Sequence, residues 1–120
     1  MATKKLNPNL KQKKYARGEA LNLISDFLGD TKPYAISYVN QFDLAYFYKL
    51  TPQEKSPFFW IPIDIASIIF SLNIDPAIMS KSNIELYERL GIDHEKFEKH
   101  NALDDAKLLR EVYLKLVNQS

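Results

Sequence analysis

Two residues near the C-terminal end have the types and spacing that acid–base or metal chemistry requires. His100 precedes Asp105 by five residues, within the stretch H-N-A-L-D-D-A. A carboxylate is a hard oxygen ligand for divalent cations, and a histidine can take up a proton near neutral pH. A lone histidine at a helix boundary is nevertheless more often a surface or capping residue, so both interpretations stand at this point.

The periodicity of the last predicted helix distinguishes Asp105 from its neighbour Asp104. Charges of alternating sign recur three or four residues apart and predict a solvated face: Asp104, Lys107, Glu111 and Lys115. Asp105 instead shares its side of the helix with the apolar residues Leu109, Val112 and Leu116. A carboxylate placed there either faces a site or supports the helix N-terminus through the helix dipole.

The elements that position these residues are mainly helical. Apolar spacing predicts helices over residues 20–28, 42–50 and 102–117, with Gly29 ending the first and Asn101 capping the last. Asp64 is a predicted N-cap for a helix that runs to Leu72, and Ser82 with Glu85 has the form of a capping box for a helix that stops at Gly91. Strands are predicted at residues 34–39 and, weakened by Pro62, at 58–63.

Composition indicates one domain of an ordinary globular protein, at residues 15–120, preceded by a basic flexible arm at 1–14. The chain has no cysteine, which excludes disulfides and thiolate metal sites and favours a reducing, cytoplasmic location. No apolar run is long enough to span a membrane. Before the first acid lie several cations that could steer a phosphate backbone, or form a merely solvated tail: Lys4, Lys5, Lys11, Lys13, Lys14 and Arg17.

Taken together, these short stretches resemble the DEDDh family of 3′→5′ exonucleases. Residues 100–106 have the form H-x-A-x-x-D-A of the family's third motif, and Phe42-Asp43 after a strand is similar to its second. Ile63-Asp64-Ile65-Ala66 and Leu90-Gly91-Ile92 resemble two intervening stretches, in the family's order. The likeness runs from about Ala20 to Leu116, so residues 15–120 resemble the C-terminal part of an exonuclease-like domain.

This resemblance implies a helix-rich α/β fold, an incomplete ribonuclease H-like fold. It also implies two ions, Mg²⁺ or Mn²⁺, which activate a water at the 3′-terminal phosphodiester of a nucleic acid. Carried over to this sequence, Asp43 and Asp105 match metal ligands, and His100 matches the general base.

The family's first motif, Asp-x-Glu on the opening strand, is missing. The sequence Asp93-His94-Glu95 has this form, but it stands after Asp43 and on no predicted strand, so it is not a substitute. Two acids alone should bind metal poorly, and we therefore expect the isolated chain to be inactive. The missing opening strands also leave the strand at 34–39 with an open edge, which predicts self-association or a partner chain that completes the sheet.

Two other functions fit the same residues. A degenerate exonuclease could hold nucleic acid through the lysine-rich arm without cutting, or the fold could serve only as a protein-interaction module. Aromatic residues could stack on a base but are more typical of a core at helical spacing: Phe42, Tyr46, Phe47 and Tyr48. The same ambiguity applies to Phe58, Phe59 and Trp60.

Overall fold

A computed structural model describes residues 14–52 and 55–118 of the chain. Its helices are α1 Arg17–Leu28, α2 Asn40–Leu50, α3 Ile65–Ser71, α4 Ile78–Lys81, α5 Asn83–Leu90 and α6 Ala102–Val117, with a 3-10 turn at His94–Lys96. Two short strands, β1 Ile36–Ser37 and β2 Ile63–Asp64, form a two-stranded parallel sheet within these ranges. The prediction of a helix-rich α/β protein is confirmed.

The chain divides into two compact units. The first comprises residues 1–35 and 40–63, and the second comprises 36–39 and 64–120, each within the limits of the described ranges. The second unit contains a core made by one face each of α3, α5 and α6: Ile65, Ile69, Leu86, Tyr87, Leu90, Val112 and Leu116. Burying seven large side chains gives this unit most of its hydrophobic stabilisation.

The first unit is held together by aromatic and polar contacts. The rings of Phe47 and Phe58 meet edge to face with centroids 5.3 Å apart. The guanidinium of Arg17 donates to the carbonyl of Lys49, near the end of α2. A cation at this position also stabilises the negative end of the helix dipole.

Most of the predicted helix caps are confirmed. The Asp64 side chain accepts a hydrogen bond from the amide of Ala66, and Asn101 accepts from the amides of Leu103 and Asp104. Gly91 ends α5 in the left-handed region, at φ 70°, which a glycine adopts without steric cost. The predicted capping box is wrong, because Ser82 makes no side-chain capping bond. Ser82 also accepts through its carbonyl from Glu85 and follows α4 directly, so the tight junction between the helices sets its backbone.

The predicted strands are shortened. Residues 58–62 are irregular, and only Ile63 and Asp64 form β2. Phe59 still donates its amide to Pro33, and Ile63 donates to Ala35, so the two segments run side by side. The two donors are four residues apart but their acceptors only two, so residues 59–63 carry two extra residues and no regular ladder forms before Ile63.

The predicted arm falls almost entirely on residues 1–13, which lie outside the described residues, as do Lys11 and Lys13. Lys14 and Arg17 are described and exposed. None of the described helices combines the length and the apolar character needed to cross a membrane.

Candidate functional site

The segment between α5 and α6 positions the predicted catalytic residues. After Gly91 the chain forms the 3-10 turn at His94–Lys96, in which the Asp93 side chain accepts from the amide of Glu95. It then reaches Asn101, whose side chain caps α6. His100 precedes this cap and Asp105 follows in the first turn of α6, so one helix N-terminus fixes both positions.

The two neighbouring acids, Asp104 and Asp105, have different roles. The Oδ2 atom of Asp104 accepts a hydrogen bond of 2.8 Å from the amide of Glu98, which ties the preceding loop to the helix. Asp105 is exposed; its amide donates to the carbonyl of Asn101, and its carboxylate makes no hydrogen bond with the described residues. The exposure predicted from periodicity is reversed, because Asp104 is half-buried and bonded to the loop while Asp105 is exposed.

His100 and Asp105 line the same cavity in the second unit. The cavity has a volume of about 360 Å³, within the range typical of small-molecule sites. Its wall contains both histidines of the chain, several aromatic and apolar groups, and charges of both signs: Asn83, Ile84, Tyr87, His94, Phe97, Glu98, Lys99, His100, Asp105 and Leu108. It thus combines apolar surface with groups that can exchange protons.

Tyr87 connects this cavity to the core. Its ring lies 5.6 Å from the imidazole of His94, with an interplanar angle of 34°. Burial raises the pKa of the Tyr87 hydroxyl above its ordinary value of 10.0; a hydrogen bond with the Asn83 side chain lowers it, and the negative charge of Asp105 raises it further. The hydroxyl therefore stays protonated at neutral pH and can act as a donor within the cavity.

The backbone of His100 is strained. Its φ is 61°, in the left-handed region that side chains other than glycine seldom adopt. Within the described residues no hydrogen bond or ion pair involves its exposed imidazole. Asn101 rather than His100 caps α6, so the capping interpretation does not apply to His100.

Asp43 lies in the first turn of α2, in the first unit, and is exposed. Across residues 14–52 and 55–118, no three histidine, aspartate or glutamate side chains form a group that could hold a metal ion. The described donors therefore do not fit a two-metal centre, which requires several anionic oxygens.

Several aromatic residues are exposed, contrary to the core interpretation. Phe42, Tyr46 and Trp60 have exposed fractions of 62%, 69% and 69%. Phe47 and Phe58 are half-buried against each other and fit the core interpretation better.

Sequence reasoning missed His94, Tyr87 and Asn83 as cavity residues. His94 belongs to the rejected Asp-x-Glu stretch, and Tyr87 has the apolar spacing of a core residue. The glycine at 91 was the available signal, because a left-handed helix end turns the following residues back over the helix.

No family model, no curated protein and no solved structure matches this chain significantly.

Proposed function

We propose that the chain is the C-terminal part of a DEDDh-type exonuclease domain, a metal-dependent enzyme that removes nucleotides from the 3′ end of a nucleic acid. The single observation that supports it best is the placement of His100 and Asp105 on one cavity, with the loop contact made by Asp104 instead. The helix-rich α/β architecture is compatible with an incomplete ribonuclease H-like fold that lacks its opening strands.

In this proposal His100 holds and moves the proton of the attacking water. Its imidazole is exposed and makes no hydrogen bond or ion pair with the described residues, so its ring nitrogens are available to that water. Asp105 supplies an anionic oxygen on the same cavity, and the family's ions, Mg²⁺ or Mn²⁺, would stabilise negative charge at the phosphodiester when bound.

The isolated chain is still expected to lack nuclease activity. Because the described donors do not form a metal centre, carboxylates must come from another segment, a second copy or a partner chain. Asp43 remains the proposed second-motif acid.

Metal binding at Asp105 tests the proposal directly. Mn²⁺ is titrated into isotope-labelled protein, and paramagnetic broadening of backbone signals is followed by NMR. We expect weak binding that broadens His100 and Asp105, disappears in Asp105→Asn and persists in Asp104→Asn. The Asp104→Asn variant is the matched control, since the amide oxygen can still accept from Glu98. If the same signals broaden in both variants as in the unmodified protein, Asp105 is not the metal ligand.

A nuclease assay completes the test. A 3′→5′ ladder from a labelled single strand is sought with Mg²⁺ or Mn²⁺. Degradation that is lost in Asp105→Asn would support the exonuclease and contradict the predicted inactivity of the isolated chain.

The second candidate is a module that binds nucleic acid without cutting it. The lack of a metal-binding group among the described residues favours this alternative, and Lys14 and Arg17 are exposed at the start of α1. Binding to an oligonucleotide in EDTA that weakens steeply with salt, without Mn²⁺ binding at Asp105, would support it. No binding at low salt would leave a protein-interaction role.

A further inference from the structure

The cavity that contains the proposed chemical groups also has three aromatic rings in its wall. Tyr87, His94 and Phe97 line it together with His100 and Asp105. Tyr87 is buried, and His94 and Phe97 are half-buried, whereas His100 and Asp105 are exposed. The cavity therefore has an aromatic inner part and a polar rim, and the proposed chemistry uses only the rim.

Backbone hydrogen bonds hold the imidazole of His94 against the ring of Tyr87. After Gly91 ends α5, the amide of Ile92 donates to the carbonyl of Tyr87 at 2.9 Å and turns the chain back over the helix. The amide of Phe97 then donates to the carbonyl of His94 at 3.2 Å. None of these bonds uses the His94 side chain, so the turn presents this ring to the cavity without depending on it.

Asn83 adds a polar group beside the rings. Its side chain donates to the Tyr87 hydroxyl, because this hydrogen bond lowers the pKa of the hydroxyl and only a donor stabilises the charged form. An amide that donates through one N–H group keeps a second N–H group and a carbonyl oxygen. A carboxamide with both groups can bond to the adjacent acceptor and donor on the edge of an adenine.

The charges of the wall favour a ligand that is neutral overall. Apart from the two histidines, the charged groups are Lys99 and the acids Glu98 and Asp105. They offer no net positive charge to a free phosphate, and like charges that face each other cost binding energy. The volume, about 360 Å³, is near the lower end of the range for small-molecule sites and suits one nucleoside.

We infer that the inner part of this cavity binds a nucleobase, which contacts the rings of His94 and Phe97 with its flat faces and bonds to Asn83 with its polar edge. Unpaired bases are commonly recognised in this way, by aromatic rings and by hydrogen bonds to their edges. The inference rests on the proposed function for the class of ligand, the base of a terminal nucleotide. It adds recognition residues outside the stretches that resemble exonuclease motifs, and it needs no metal.

Adenosine tests the inference because it carries a base and no phosphate. It is titrated in EDTA into isotope-labelled protein, and the backbone signals are followed by NMR. We expect saturable shifts at His94 and Phe97, and upfield ring-current shifts of the adenine protons. Ribose alone should cause neither. Benzimidazole riboside keeps a flat bicyclic ring and the sugar but lacks the amino group of adenine, so it should bind at least about 5-fold more weakly.

Two substitutions of one residue test the stacking contact. His94→Leu keeps apolar contact with Tyr87 but removes the flat ring, and should weaken adenosine binding by roughly 5- to 150-fold, the loss expected for one base–aromatic stack. His94→Phe is the matched control, since it restores a flat ring and should retain most of the affinity. Far-UV circular dichroism and the urea midpoint check that both variants fold.

Four outcomes would overturn the inference: no saturable shift with adenosine, the same shifts with ribose, benzimidazole riboside binding as tightly as adenosine, or equal losses of affinity in the two variants. Its failure is distinguishable from failure of the exonuclease proposal, because Mn²⁺ binding at Asp105 is measured without nucleoside. A chain that binds adenosine but no Mn²⁺ at Asp105 would support the base site and contradict the exonuclease. The reverse result would contradict the base site alone.

Discussion

Replacement of His100 by glycine should stabilise the protein. His100 has a φ of 61°, where the Cβ atom of any side chain other than glycine's crowds the backbone. The imidazole is exposed and makes no hydrogen bond or ion pair with the described residues, so its removal costs little in contacts.

The size of the effect follows from two opposing contributions. Relief of left-handed strain stabilises the folded state by about 1–2 kcal/mol. The greater freedom of glycine in the unfolded chain offsets about 0.4–1 kcal/mol of this gain. The net expectation is a stabilisation of about 0.5–1 kcal/mol, or a rise in Tm of about 2–5 °C. His100→Ala keeps the strain and should not stabilise.

Urea denaturation followed by circular dichroism measures these changes, because the midpoint moves while the slope stays constant. Asn73→Gly is the control: Asn73 has a φ of 62°, and the change should give a smaller gain, because asparagine tolerates the left-handed region better than histidine, without touching the cavity. The effect of His100→Gly on the site is followed by the broadening of the Asp105 NMR signal on addition of Mn²⁺, and by nuclease activity if a partner chain restores it. A loss of stability in His100→Gly would refute the strain argument, because the imidazole would then contribute to packing.

Three further changes have expected outcomes. Asp104→Ala should lower the free energy of unfolding by about 1 kcal/mol, because it removes the acceptor of the Glu98 amide, whereas Asp105→Ala should change it by less than about 0.5 kcal/mol. Equal decreases of the urea midpoint in the two variants would contradict the different roles of the two acids. Asn101→Ala should cost about 1 kcal/mol of stability and Ser82→Ala much less, since only Asn101 caps its helix with its side chain. Thermal unfolding of the two variants measures the difference. A larger loss of stability in Ser82→Ala would contradict the assignment of the caps. The raised pKa of Tyr87 contributes stability that is fully present below pH 10 and is lost as the pH rises through the pKa in the folded protein, with a slope of up to about 1.4 kcal/mol per pH unit in the free energy of unfolding. Tyr87→Phe should flatten this alkaline decline in stability. An unchanged dependence of stability on pH would show that another group causes the decline.

Local signals in the sequence predicted the helices well. The caps at Asp64, Asn101 and Gly91 depend on contacts within two to four residues of the sequence. A single polar side chain begins the helix at Asp64 and Asn101, and the lack of a side chain ends it at Gly91. The strand at 58–63 was overestimated because β-propensity reports packing against neighbours, and the neighbours are set by the rest of the fold. The predicted capping box at Ser82 was wrong for a related reason. The pattern depends only on Ser82 and Glu85, but the end of α4 also constrains the backbone of Ser82.

The candidate site could be predicted only where it lies along one helix. Helical periodicity predicted Asp105 on the apolar side of α6, but Asp105 is exposed and Asp104 is half-buried. Asp105 and His100, which the motif predicts to act together, nevertheless line one cavity. His94 and Tyr87 come together across a turn, at a centroid distance of 5.6 Å. That contact depends on how the chain reverses after Gly91, which no single-helix pattern contains.

The paired acids at the start of α6 show how one helix N-terminus can serve the fold and a site together. The positive end of the helix dipole stabilises two carboxylates in the first turn, at a surface where each alone would gain only a little. Because Asp104 takes the amide of Glu98, the loop is fixed without Asp105. The second carboxylate is then left on the cavity beside a histidine held in a strained conformation, and neither feature is needed for the helix to form. This division is the physical reason to look for chemistry at Asp105 and His100 rather than at the better-bonded Asp104.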